Sequence, residues 1–284
     1  MRQARIKPTN HDVWHHCYNR VVGTSEDRPF GDVEKEQFIR ILFRIKRLYK
    51  VQVIGYQVLS NHYHILLQTP SKQPSEEETC ARYKAFHNGR RTIEPGSAAC
   101  QIWQKRLIDV SWFMRHLQQL FTNWYNQTRP IRRRGTLWAS RFKNTVLEHG
   151  PAVYRCWSYV ENNPVRAGIV KDAADYRFGS YGYWRQRGRH PFEQDVREAL
   201  GDVQEAYAYL TGALEERGGT EESGFVLTTR RRVRFWVDGA VIGSERYVRE
   251  IMQDRTNRHR LAKSTSEVEG NPLFAWRRLR TVPA

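Results

Sequence analysis

The chain has 284 residues, 39% hydrophobic and 12% aromatic, with 9 Trp and 14 Tyr. That is enough to bury a core without disulfides, and it excludes wholesale disorder. Lys and Arg number 47 against 30 Asp and Glu, a net charge of +17, which points to a polyanionic partner, nucleic acid ahead of an anionic membrane. No apolar run reaches about 18 residues and the first residues lack a signal-like stretch, so a soluble cytoplasmic protein without membrane association is expected. Cys17, Cys80, Cys100 and Cys156 are scattered with no CxxC pair, against a zinc knuckle or a disulfide scaffold.

In chain order, residues 13–22 (VWHHCYNRVV) read as a strand of aromatic and β-branched residues. Val33 to Leu48 carries Phe38, Ile41, Leu42, Ile45 and Leu48 on one helical stripe. Two extended segments follow, Val51–Leu59 and His62–Gln68, around the turn-like Ser60-Asn61. The polar stretch 70–105 reads as an insertion or long loop. Trp112 to Gln127 has the cleanest helical period, with Phe113, Leu117, Leu120, Phe121 and Trp124 in register. Arg141–Glu148 reads as a strand, and a further helix starts at Gly150-Pro151 and stops at Asn163-Pro164. This order predicts an α+β fold, an antiparallel sheet with helices packed on it. Beyond Trp184 the character changes. A helical stretch (Val196–Glu216), a Gly-rich acidic loop, a hairpin-like segment around Asp238-Gly239, a short helix near Ser244–Met252 and a basic tail read as an accessory region, 185–284, after a principal domain, 1–184.

His62-Tyr63-His64 sets two imidazoles on one strand face, because side chains alternate. Such a pair can chelate one divalent cation; the plainer reading is a surface or hydrogen-bonded pair. On the later helix, Val153, Trp157 and Val160 form the apolar stripe. Tyr159 lies about 120° from its centre, a face the core does not explain, and Asn163 follows about one turn on. The plainer reading is an amphipathic tyrosine with a surface hydroxyl. Taken together, the elements suggest a mechanism. A phenol near pKa 10 is a weak nucleophile unless its target is activated, and a cation held by imidazoles and an amide oxygen can polarise a phosphodiester. Attack by tyrosine then gives a phosphotyrosine link and a free 3′ hydroxyl, with no nucleotide cofactor. Between Arg129 and Lys143 stand Arg132, Arg133, Arg134 and Arg141 with no acid among them, a cluster able to track phosphates. Trp138 in this basic loop is the stacking candidate for unpaired bases, with Trp112 beside it, whereas Trp124, on the apolar stripe, reads as core before stacking, and Arg166 either contacts DNA or fixes a turn.

SNHYHILLQ resembles the paired-histidine HUH motif of single-tyrosine transposases, and YVENNPVRAGIV resembles the Y-x-x-x-N-P-V-R-A-G segment of REP-associated tyrosine transposases. GTLWASRFKNTVLE and DYRFGSYGYW are further matches, in order, over about residues 10–184. The resemblance implies an HUH nuclease sheet flanked by helices, Tyr159 as nucleophile, and His62, His64 and Asn163 as ligands of Mg²⁺ or Mn²⁺. It also implies cleavage of single-stranded, hairpin-forming repeat DNA through a 5′-phosphotyrosine, in the bacterial cytosol or nucleoid. The chain departs from the family's pattern in Tyr63, where a smaller aliphatic is usual, in Asn162, where Leu is usual, and in Asn163, where many mobile-element relatives carry Gln. Repeat-associated members can work as monomers, while mobile-element relatives are often dimers, and a monomer is the expectation here. The alternative is a binder of repeat hairpins that has lost cleavage.

Overall fold

The computed structural model describes residues 5–8, 11–24, 27–130, 134–201, 205–206, 208, 235–253, 266–267 and 273–277. The expected acidic Gly-rich loop, Arg132 and Arg133, and most of the basic tail lie outside these residues. The sheet is built from β1 (Val13–Arg20), β2 (Gln52–Val58), β3 (His62–Thr69), β4 (Lys143–Leu147), β5 (Gly239–Gly243), β6 (Ser266–Glu267) and β7 (Phe274–Arg277). Their order across it is β2-β3-β1-β4-β5-β7-β6. The α+β class expected from the sequence is the class observed. One pairing departs from the antiparallel expectation: β5 runs parallel to β4, Val146 opposite Val241.

The alternation of β1 and β3 divides the molecule. Cys17, Tyr63, Ile65 and Leu67 face α1 (Asp32–Lys46) and α4 (Val110–Gln127), and all belong to one apolar core with Phe38, Leu42, Phe113 and Phe121. Tyr63 is fully buried there, its ring 4.8 Å from Phe38 and 5.3 Å from Trp138, so the departure at this position is absorbed by packing. Both helices begin on acceptors that satisfy free N–H groups. Glu34 accepts from the Gly31 amide, and Asp109 accepts from the amides of Ser111 and Trp112.

Two helices, α2 (Glu76–Phe86) and α3 (Ala98–Leu107), occupy the stretch read as a loop. Ser75 and Ser97 cap them through the amides of Glu78 and Cys100. The apolar stripe on α2 is only Thr79 and Phe86, too thin to register as periodicity, so the caps were the legible signal.

The opposite sheet face, with Trp14, Leu66 and Leu147, carries α5 (Pro151–Glu161), which continues after Asn162 as a single turn, α6 (Asn163–Arg166). Gly55 on β2 makes the close approach possible: a Cβ there would lie 2.7 Å from Trp157 Nε1. The helices α7 (Ser180–Arg187) and α8 (Glu193–Leu200) follow, the latter shorter than the expected Val196–Glu216, whose far end is not described. No hairpin forms at Asp238-Gly239. A single turn, α9 (Phe235–Asp238), feeds directly into β5, which is followed by α10 (Glu245–Gln253). β5 crosses the expected boundary by pairing with β4, and Phe235, Trp236 and Ile242 share a core with α5.

Candidate active site

Register places the site. His62 pairs with Arg20, His64 with Tyr18 and Gln57, and Tyr18 with Lys143. The even-numbered residues of β1 and β3 therefore share the face beneath α5. The rings of His62 and His64 lie 5.3 Å apart, and Tyr18 sits 5.8 Å from the first and 4.9 Å from the second. Tyr159 of α5 comes down edge-on to this group, its ring centroid 5.8 Å from His64 and 5.9 Å from His16. Positions 62 and 159 are thus brought to one spot by a single helix-on-sheet contact.

Both paired histidines have one ring nitrogen engaged. His62 Nδ1 meets the Asn61 side-chain amide at 2.7 Å. His64 Nδ1 meets His16 Nε2 at 2.8 Å, the two rings nearly coplanar and edge to edge, with planes within 7° and centroids 5.0 Å apart. His16 Nδ1 in turn donates to the Trp236 carbonyl at 2.9 Å. Burial lowers the pKa of His16 to about 4 and drives that of His64 well below its usual range, so both are neutral near pH 7.

Asn163 is 8% exposed and its Nδ2 has no hydrogen-bond partner. The two ends of an amide are assigned by their partners, so turning the amide end for end would put its oxygen at that unsatisfied position, where it could serve as a ligand. Among the described residues no cluster of three or more His, Cys, Asp or Glu converges on a metal position. The expected set holds only two such residues, with the amide as third. Amide oxygen and water suit Mg²⁺ or Mn²⁺, while imidazole nitrogen favours the softer divalent ions, so the mixed set fits a divalent cation that completes its shell with water and phosphate oxygens.

The sequence placed Tyr159 off the core; the structure buries it to 4% exposure. The cause is the chain beyond residue 184: the Trp236 ring lies 5.8 Å from that of Tyr159. Arg166 closes another side, its guanidinium carbon 4.1 Å over the ring and its Nη2 2.8 Å from the Tyr159 carbonyl. Of the two roles weighed for Arg166, this contact is the local, fixing one.

Glu161, two residues on, was missed. It is fully buried and accepts from Trp157 Nε1, Ser180 Oγ, the Tyr181 amide and Gln57 Nε2. Desolvation raises its pKa to about 7. Its bonds fasten α5 to β2 beside His64. A lone Glu on an apolar helix was the available signal, since such a residue stays buried only when its oxygens are satisfied.

The basic residues divide. Arg129 is committed to Glu34 at 2.7 Å and lies over Tyr125. Lys143 pairs with Asp238 at 3.1 Å and lies 6.0 Å over Tyr18, on the rim of the histidine pair. Arg134 and Arg141 are exposed. Trp138 is 8% exposed, packed on Phe30, Phe38 and Phe121, with Nε1 donating to Thr122, and it lines the same groove as Trp112 and Arg141. Trp112 is half-buried, flanked by the guanidinium groups of Arg106 and Arg115 at 4.1 and 5.1 Å. It lines a groove of 740 Å³ with Arg5, Arg115, Gln118 and Arg141. No described helix is long and apolar enough to cross a membrane.

No family model matches the sequence, and no curated protein matches it. Among solved structures, the chain is similar to a REP-associated tyrosine transposase bound to a REP hairpin, at 16% identity and a TM-score of 0.44, over 68% of this chain and 90% of that one.

Proposed function

We propose that this protein is a metal-dependent endonuclease and strand-transferase of single-stranded, hairpin-forming repeat DNA, with an HUH-type sheet and Tyr159 as nucleophile. The observation that carries the reading is the approach of the Tyr159 ring to within 5.8 Å of His64, itself 5.3 Å from His62. His62, His64 and Asn163 would hold Mg²⁺ or Mn²⁺. When bound, the ion supplies stabilisation of the charge that builds on the phosphate oxygens.

The Tyr159 oxygen attacks phosphorus as its proton leaves to solvent, and the bond to the 3′ oxygen breaks. That oxygen takes up a proton, leaving a 3′ hydroxyl and a 5′-phosphotyrosine. Attack by another 3′ hydroxyl reverses the step and joins strands, so no nucleotide cofactor is needed. Arg166 holds the Tyr159 backbone, and Glu161 holds α5 at its height above the sheet.

The groove of Arg5, Arg115 and Arg141 gives a phosphate track, and Trp112 a stacking surface. Arg141 precedes Lys143 by two positions, so β4 leads from that groove to the histidine rim. One chain carries every residue of the proposed set, so the reading needs no second copy, and a monomer acting in the cytoplasm is part of the proposal. The test is a labelled repeat hairpin with Mn²⁺: the protein forms a covalent adduct and Tyr159→Phe forms none. An adduct that survives the substitution overturns Tyr159 as nucleophile.

A second reading, a hairpin binder without cleavage, is favoured by the burial of Tyr159 beneath Trp236 and Arg166. Under it no product forms with any ion, and hairpin affinity is unchanged in the His62→Ala, His64→Ala double variant.

A further inference from the structure

His16 enters neither the proposed ligand set nor the proposed chemistry, yet it is 1% exposed and spans the space between His64 and the chain beyond residue 184. The direction of its bonds follows from what each partner can do. The Trp236 carbonyl only accepts, so the proton of the His16 ring is on Nδ1. A neutral imidazole has one N–H, which leaves Nε2 of His16 as an acceptor. The bond to His64 at 2.8 Å then requires His64 to donate from Nδ1. Its own lone pair is therefore on Nε2, the nitrogen that makes no hydrogen bond to any described residue.

The relay starts from a held backbone. The Thr145 hydroxyl shares its one proton between the carbonyls of Trp236 and Gly239, at 3.1 and 2.8 Å, and Lys143 pairs with Asp238. α9 is thereby anchored to β4, the strand beside His16.

We propose that His16 is a positioning residue that transmits the fixed orientation of the Trp236 carbonyl to His64, selecting the His64 tautomer with Nδ1 protonated and Nε2 open to a ligand. The segment beyond residue 184 is on this account part of the site's wiring, acting through one peptide oxygen. An outer partner of this kind commonly changes metal affinity 10- to 100-fold when removed. The value to the metal rests on the reading of His64 as a ligand; the tautomer itself does not.

The test has two readouts. In the full chain, without DNA or metal, imidazole ¹⁵N chemical shifts of His64 report its tautomer: Nδ1 as a protonated nitrogen and Nε2 as an unprotonated one. Finding the proton on Nε2 overturns the proposal, whatever the protein does to DNA.

The second readout is calorimetric titration with Mn²⁺ alone. His16→Phe, which keeps a ring but cannot accept, is expected to bind about 10- to 100-fold more weakly and to lose the fixed tautomer. His16→Gln, which restores an acceptor, stays near the wild type. Equal affinities in wild type and both variants overturn the role of His16, and so does equal weakening in both, which marks it as packing alone. If His16→Phe does not fold, the wild-type shifts and the Gln variant still decide. A wild type with the expected tautomer but no covalent adduct defeats the nuclease reading and leaves the relay standing.

Discussion

The two faces of the sheet are made by the same strands and differ in nearly everything else. Toward α1 and α4 the strands present Cys17, Tyr63, Ile65 and Leu67 to a fully apolar core. Toward α5, the neighbouring positions present His16, Tyr18, His62, His64, Gln57 and Thr145, most of them buried. Burying polar groups costs free energy unless each is bonded, and His16, His64, Thr145 and Glu161 each have partners, as does Gln57 Nε2, while Gln57 Oε1 is left without one. One face thus supplies stability while the other holds chemistry in place, a division set by nothing more than odd and even positions on a strand.

The largest expected effect tests the apolar side. Phe121 is fully buried, with its ring 5.2 Å from both Phe30 and Phe38. Phe121→Ala should destabilise by about 3–5 kcal/mol, measured by urea unfolding, while Mn²⁺ affinity of the folded variant is unchanged. A variant of normal stability with lost metal affinity would mean that the faces are not separable in this way.

The second prediction concerns protons on both faces. Burial lowers the pKa of His15 and His190 to about 3 and that of His16 and His116 to about 4. The unfolded chain takes up these protons near 6.5 and the folded one does not. Stability is therefore full above pH 6.5 and lost as pH falls, at up to about 1.4 kcal/mol per histidine per pH unit. Glu161 works in the opposite direction. Its pKa is raised from 4.5 to about 7 by desolvation, so its contribution is full below 4.5 and lost as pH rises through 7. Urea unfolding at pH 7, 6 and 5 should show falling stability, steeper in Glu161→Gln than in the wild type. Parallel profiles would show that Glu161 remains ionised throughout, its four donors outweighing its burial.

The comparison also explains what could be read from the sequence. Period-2 and period-3.6 patterns exposed β1, β3, α1 and α4, because an apolar face repeats along the chain. The histidine pair was legible from strand alternation. His16 was not, since its role depends on a carbonyl 220 positions away in the chain. Tyr159 could be placed off the α5 stripe, but its burial could not, because the cover comes from Trp236. The packing of Trp138 was hidden for a related reason: a basic neighbourhood in sequence says nothing about which side chain turns inward, and Phe30, Phe38 and Phe121 supply an inward partner from two distant helices and a loop. α2 and α3 were hidden by their polar surfaces, although Ser75 and Ser97 stood at their starts.

The smallest effect separates charge from chemistry. Arg115 and Arg141 line the groove beside Trp112 and belong to neither buried face. If single-stranded DNA lies there, each substitution to Ala should make the log–log dependence of affinity on salt shallower by about 0.7, the increment for one phosphate on a single strand. Affinity at a fixed salt concentration falls only modestly, and His64→Ala leaves the slope unchanged. The measurement is hairpin binding by fluorescence anisotropy across a salt series with a single-stranded flank of increasing length. Slopes that ignore both arginines would move the DNA path off this groove and toward the exposed Arg134.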